Sequence, residues 1–189
     1  MSMHWKRVRV GPIRTNCYML YQDAREDCVI IDPGEDPDVI LDMIGPRKIA
    51  AIVLTHGHFD HIGALQALSA PGIHVWIHHK DAPMLTDPWL NGSEMLMGIR
   101  VTGCSADHFC EDGDTIEEAG MTLKCMHTPG HTPGSCCFLC DPLLFTGDTV
   151  MRMGIGRTDL PGGSDTAMRE SLKRLEPILD RYTILGGHG

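Results

Sequence analysis

The stretch Thr55-His56-Gly57-His58-Phe59-Asp60-His61 places three imidazoles and a carboxylate within positions 56–61. Imidazole and carboxylate groups suit first-row metal ions. A solvated turn has no need of three adjacent imidazoles, which repel one another once protonated. The HxHxDH spacing therefore points to metal binding where a lone histidine would not. The run follows Ile49-Ala50-Ala51-Ile52-Val53-Leu54, which is short, apolar, partly β-branched and bounded upstream by Gly45-Pro46, so it reads as a buried strand. Ile62, Leu65 and Leu68 follow at three-residue steps and fit a helix entered at Asp60. The ligands thus fall on a strand-to-helix loop, at the carboxyl end of a strand, where sites collect in open α/β sheets.

Three further candidates each sit in a turn after an apolar run. Met121-Thr122-Leu123-Lys124-Cys125-Met126 alternates like a half-buried strand and leads into His127-Thr128-Pro129-Gly130-His131-Thr132-Pro133-Gly134, where Pro-Gly on both sides fixes His131. Leu143-Leu144-Phe145 ends in Thr146-Gly147-Asp148-Thr149; an isolated aspartate in such a turn is ordinarily a local cap. The sequence closes on Tyr182-Thr183-Ile184-Leu185-Gly186-Gly187-His188-Gly189, whose strand-like approach sets His188 apart from a disordered terminal histidine.

Together these motifs resemble the metallo-β-lactamase superfamily, and within it the glyoxalase II-like hydrolases. The resemblance runs from Asn16-Cys17-Tyr18 and Ile31-Asp32-Pro33-Gly34 through HxHxDH to Gly187-His188-Gly189. It implies that His56, His58 and His131 bind a first metal and Asp60, His61 and His188 a second, with Asp148 bridging. The stretch Gly156-Arg157-Thr158-Asp159-Leu160-Pro161-Gly162-Gly163 is similar to the glyoxalase II-like subfamily in particular. β-Lactamases of this superfamily typically carry cysteine or serine where Asp148 stands, which disfavours a true lactamase. Flavodiiron oxygen reductases carry a carboxylate where His58 stands. RNA-processing members are disfavoured by the acidic charge and the lack of a basic run. The implied fold is an α/β, four-layer αβ/βα sandwich of two mixed β-sheets; the residues alone support a mixed α and β domain with its motifs on loops.

The 189 residues suffice for one substantial core, so residues 1–189 are expected to form a single domain. Larger glyoxalase II enzymes add a C-terminal helical domain that contacts glutathione; here His188-Gly189 closes the sequence, and glutathione itself is expected to be held weakly. Net charge is −9 with histidines neutral, part of which bound cations would offset. The sequence has no apolar run of eighteen or more residues and no signal-peptide core after Met1-Ser2-Met3-His4-Trp5-Lys6-Arg7, so a cytoplasmic protein without nucleic-acid or membrane partners is expected. The eight cysteines are expected to be reduced. The C-x-x-C spacing within Cys136-Cys137-Phe138-Leu139-Cys140 lacks a second pair at zinc-ribbon spacing and reads as a strand of core cysteines. Cys17, Cys28 and Cys125 also lie in apolar segments, while Cys104 and Cys110 are the candidates for exposed thiols. His74, His78 and His79 flank an apolar run and need no metal. His127, four residues before His131, is a candidate support for the site, and His4 and His108 carry no signal.

Val8-Arg9-Val10, Cys17–Tyr21 and Cys28–Ile31 read as opening strands, and Asp36-Pro37-Asp38 starts a helix through Val39, Ile40, Met43 and Ile44. Ser164-Asp165 caps another, carrying Met168, Leu172 and Leu175. Residues 83–103, rich in Met, Gly and Pro, read as loop packing or a cover over the site.

The resemblance and the ligand chemistry together imply a metal-dependent hydrolase that cleaves a thioester or similar small acyl compound. Two divalent cations, most simply zinc, with iron or manganese also compatible, would lower the pKa of bound water from 15.7 towards ~7. Asp60 is the catalytic candidate, as a ligand that also orients the water. Arg157 is the candidate for binding a substrate carboxylate; the competing reading is an Arg157–Asp159 pair that holds its own turn. The alternative function is a persulfide dioxygenase with one iron held by His56, His131 and Asp148. A purely structural metal protein is disfavoured, because structural zinc is usually closed by four ligands.

Overall fold

A computed structural model describes residues 2–189. The first sheet takes its strands in order from β1 (Met3–Val10), β2 (Thr15–Gln22) and β3 (Asp27–Ile31) through β4 (Lys48–Val53) and β5 (His74–His78) to β6 (His108–Cys110). Its first two pairings are antiparallel and the next three parallel, so the sheet is mixed. The second sheet is formed by β7 (Thr115–Glu118), β8 (Met121–His127), β9 (Cys136–Cys140), β10 (Leu143–Gly147) and β11 (Thr183–Gly186), in the order β11-β10-β9-β8-β7. Only its β10–β11 pairing is parallel.

Side-chain alternation sets the layers. In β4, Ala51 and Val53 join Tyr18, Leu20 and Val29 in packing against Leu123, Phe138 and Phe145 of the second sheet. Ile52, on the opposite face of β4, packs with Ile40, Met43 and Ile44 of α1 (Pro37–Ile44) and with Ile62 and Leu65 of the short helices α2 (Phe59–Ile62) and α3 (Leu65–Leu68). Beyond α4 (Ser93–Met97), α5 (Asp165–Leu179) covers the outer face of the second sheet, where Leu175 packs on Cys137 and Leu144. The result is the expected αβ/βα sandwich.

Particular expectations are refined. The helix entered at the motif starts at Phe59 and breaks after Ile62, because the Ala64 amide donates to the Pro33 carbonyl at 3.0 Å instead of continuing the helical ladder. Pro37 occupies the first turn of α1, and the Ser164 hydroxyl accepts from the Ala167 amide at the start of α5, as predicted. The opening strand begins at Met3, earlier than its apolar residues indicate. Cys110, expected to be exposed, is fully buried, because it ends β6 with its side chain in the core between the sheets; Cys104 is partly exposed. The segment 83–103 holds a 3-10 turn at Ala82–Leu85 and α4, anchored by the buried Asn91, whose amide donates to the Met84 and Val101 carbonyls. No helix among the described residues is long and apolar enough to cross a membrane.

Candidate metal centre

Four strand ends deliver the seven candidate donors to one edge of the sandwich. After β4 the chain presents His56 and His58 on a loop and Asp60 and His61 on α2. The turns after β8, β10 and β11 present His131, Asp148 and His188. Donor atoms of His56, His58 and His131 lie within 4.8 Å of one another, as do those of Asp60, His61 and His188, and those of His56, His61 and Asp148. The structure thus brings together every donor singled out in the sequence.

Asp148 stands between the two groups. Its Oδ1 is 3.5 Å from His61 Nε2, and its Oδ2 is 3.4 Å from both His131 Nε2 and His188 Nε2. Asp60 Oδ2 lies 3.2 Å from His188 Nε2 and accepts from the Thr15 hydroxyl at 2.8 Å. His58 Nδ1 confronts His131 Nε2 at 2.8 Å. An unpartnered polar atom in a protein interior is costly. His56 Nε2, His61 Nε2 and Asp148 Oδ1 are all buried without a hydrogen-bond partner. Cations would satisfy these atoms, and the nitrogen and oxygen donors suit zinc, iron or manganese alike.

Electrostatics divides the centre in two. Burial, reinforced by neighbouring imidazoles, holds His56 well below the usual histidine range and His58 down to about 3, so both offer lone pairs. Burial also opposes charge on His61 and His188, but there the carboxylates win. Asp60, Asp148 and Asp32 raise His61 well above its usual value, and Asp148 and Asp60 lift His188 to about 9. Despite their burial, Asp60 is lowered to about 2 and Asp148 well below the carboxylate range, chiefly by His61. Without a cation, protons on His61 and His188 balance the two carboxylates; a divalent ion would take over that role.

Two buried carboxylates that sequence reasoning assigned no role orient these donors. Asp32 accepts from His61 Nδ1 at 2.9 Å and from the Thr55 amide and hydroxyl at 2.8 and 2.6 Å, which turns His61 Nε2 towards the centre. Asp81 accepts from the Gly57 amide at 3.1 Å, the Thr132 hydroxyl at 2.6 Å and the Gly134 amide at 2.6 Å, and so ties the HxHxDH loop to the His131 turn. The sequence Asp32-Pro33-Gly34 could have flagged the first; nothing in the spacing around Asp81 flags the second. His131 Nδ1 donates to the Arg157 carbonyl at 2.7 Å, which leaves Nε2 free to face Asp148. His127 supports the turn as expected, with Nε2 donating to the Pro133 carbonyl at 2.9 Å and its ring stacked on that of the buried His78 at 4.1 Å. Gly187 is required by contact: a Cβ there would collide with Asp148 Oδ1 and His61 Cε1.

A cavity of about 290 Å³ opens over the centre between Ile13, Phe59, Leu96, Ile155 and Leu160, with Arg157 on its lining. The Arg157 guanidinium makes a two-bond pair with Asp159, at 2.6 and 2.8 Å, and both side chains are exposed.

The sequence of residues 10–188 matches the family model of the metallo-beta-lactamase superfamily. The chain belongs to that superfamily. Within it, the chain is 39% identical to the probable metallo-hydrolase YqgX of Bacillus subtilis, over 99% of this chain and 90% of that protein. It is 29% identical to the hydroxyacylglutathione hydrolase GloC of Haemophilus influenzae, over 99% and 91%. Among solved structures, the BLEG-1 B3 metallo-beta-lactamase superposes with a TM-score of 0.93 at 38% identity, covering 98% of this chain and 92% of that one. TTHA1623 in a di-iron-bound form superposes at 0.85 with 32% identity, covering 97% and 92%. ETHE1 from Myxococcus xanthus superposes at 0.78 with 26% identity, covering 98% and 76%.

Proposed function

We propose that this superfamily member is a dinuclear metal-dependent hydrolase of the glyoxalase II-like type, acting on small acyl thioesters. The observation that carries the reading is the position of Asp148, one carboxylate shared between two complete donor groups. His56, His58 and His131 would hold one cation and Asp60, His61 and His188 the other. Two bound divalent ions supply Lewis acidity and a water of lowered pKa.

This chain's own residues supply the rest. Asp60, fixed by Thr15 and His188, would orient the water. The apolar side chains of Ile13, Leu96, Ile155 and Leu160 offer a surface for the acyl group. Arg157 takes a substrate carboxylate by exchanging Asp159 for it, since an exposed ion pair of this kind is worth little. A thiolate leaving group needs little protonation. Likeness to GloC supports the thioester class.

Two other chemistries have specific support. Likeness to BLEG-1 favours β-lactam hydrolysis, against which the carboxylate at Asp148 weighs. Likeness to ETHE1 favours the alternative of a persulfide dioxygenase, in which His56, His131 and Asp148 of this chain would hold one iron. Parallel assays of thiol release from acyl thioesters, ring opening of a β-lactam and oxygen uptake with a persulfide distinguish the three. Thiol release as the dominant activity is the expected result; dominance of either other signal overturns the thioester reading.

A further inference from the structure

A second cluster of metal-binding side chains lies outside the histidine and aspartate centre, in the core between the sheets. Cys125 on β8 faces Phe138 on β9, and Cys136 lies two residues along β9 on the same face. Cys110 closes the cluster from β6, the outer strand of the first sheet. The three sulfurs lie within 4.8 Å of one another, with Cys125 and Cys136 Sγ 3.5 Å apart. Exposure is 0% for Cys110 and Cys125 and 1% for Cys136.

Geometry separates a shared ligand from a disulfide. Diagonal residues of an antiparallel pair have Cα atoms ~7–8 Å apart, beyond the ~6.8 Å that a disulfide spans. An atom bonded to all three at the ~2.3 Å typical of metal–sulfur bonds, with the narrow bond angles of a pyramidal three-coordinate centre, draws its sulfurs closer than a tetrahedral ion does, in keeping with the 3.5 Å between Cys125 and Cys136 Sγ.

Charge then selects the ligand. Three thiolates leave a net charge of −2 around a monovalent ion and −1 around a divalent one. The three cysteines belong to the apolar core that includes Tyr18, Leu20, Ile116, Leu123 and Phe138; His78, opposite Cys110 in the β5–β6 pairing, is lowered by burial and so stays neutral, and an uncompensated charge there is costly. A trivalent centre leaves none. We propose that Cys110, Cys125 and Cys136 form a binding site for a trivalent thiophilic metalloid of the arsenous acid class, separate from the histidine and aspartate centre. The exchange is As(OH)3 + 3 RSH → As(SR)3 + 3 H2O: three As–O and three S–H bonds break, and three As–S bonds form. Each thiol proton leaves with a hydroxide as water, and nothing is oxidised or reduced. Entry is by local opening of β6, an edge strand of three residues.

The test is a titration of the folded, metal-loaded protein with sodium arsenite, read by native mass spectrometry and by X-ray absorption at the arsenic edge. One arsenic per chain is expected, with a mass gain of one arsenic less three hydrogens and a shell of three sulfurs without oxygen. Cys110→Ala or Cys125→Ala should weaken binding on the order of tenfold or more by removing one tethered arm, while Cys28→Ala and Cys104→Ala should not. Metal content of the histidine and aspartate centre reports folding of each variant. No arsenic on the folded wild-type protein, an oxygen in its arsenic shell, or binding retained when Cys110 and Cys125 are both replaced would overturn the proposal. The absorption measurement needs no variant, so it decides the matter even where an alanine substitution unfolds the chain.

Discussion

Asp148 offers one carboxylate oxygen to His61 and the other to His131 and His188, whereas Asp60 touches only the His61 and His188 side. Replacing Asp148 by Ala should therefore cost metal at both positions, and Asp60→Ala mainly at the second. Equal losses in the two variants, measured by metal-to-protein ratio, would contradict that division. Asp32 touches no candidate metal position, yet it fixes the His61 ring. Asp32→Ala should weaken binding at the second position by about 10–100-fold, the usual effect of losing such an orienting carboxylate; an unchanged metal titration would show that the ring is held by other means. Arg157→Ala keeps the backbone carbonyl that holds His131. It should raise KM for an anionic acyl thioester more than for a neutral one, with metal content intact. Equal effects on both substrates would leave the Asp159 pair as its whole role.

At the scale of elements, the sequence discloses the site better than the scaffold that aims it. HxHxDH, the Pro-Gly-His turn, Gly-Asp and the terminal Gly-His were legible because each follows an apolar run and is made of metal-ligand types. The strands β4, β8 and β10 were legible from apolar runs and alternation, and α5 from Ser164 and its spaced Met168 and Leu175. β6 and β7 were not, since strands of three and four residues carry too little pattern to register. The buried position of Cys110 was missed for the same reason: its polar sequence neighbours hide a side chain that only sheet pairing turns inward. Asp81 was missed because its partners, Gly57, Thr132 and Gly134, are up to fifty-three residues away. Asp81→Ala leaves the Gly57 and Gly134 amides without their acceptor, at about 1–3 kcal/mol each. Thermal unfolding should show this variant well below wild type, and Ser164→Ala, which loses one helix cap, lower by only about 1 kcal/mol. An Asp81 variant as stable as the cap variant would mean that the two loops are held by packing alone.

For the molecule as a whole, the metal-stripped protein should show a stability maximum near pH 6.5. The unfolded chain protonates its histidines near 6.5, but folded His58 only near 3 and His56 also far below its usual value, so stability falls as the pH drops through that window. His188, raised to about 9 in the folded state, contributes fully below 6.5 and loses its contribution as the pH climbs through 9. Melting temperatures of chelated protein that do not change between pH 3 and 9 would contradict these charge states. Reloading with divalent metal should raise the melting temperature, because a ligand bound only by the folded state stabilises it. The measurement that tests the central claim most directly is thiol release from a small acyl thioester before chelation, after chelation with metal loss verified, and after a divalent ion is returned. The predicted result is hydrolysis lost with the metal and restored with it; undiminished thiol release by protein shown to be metal-free would contradict the account.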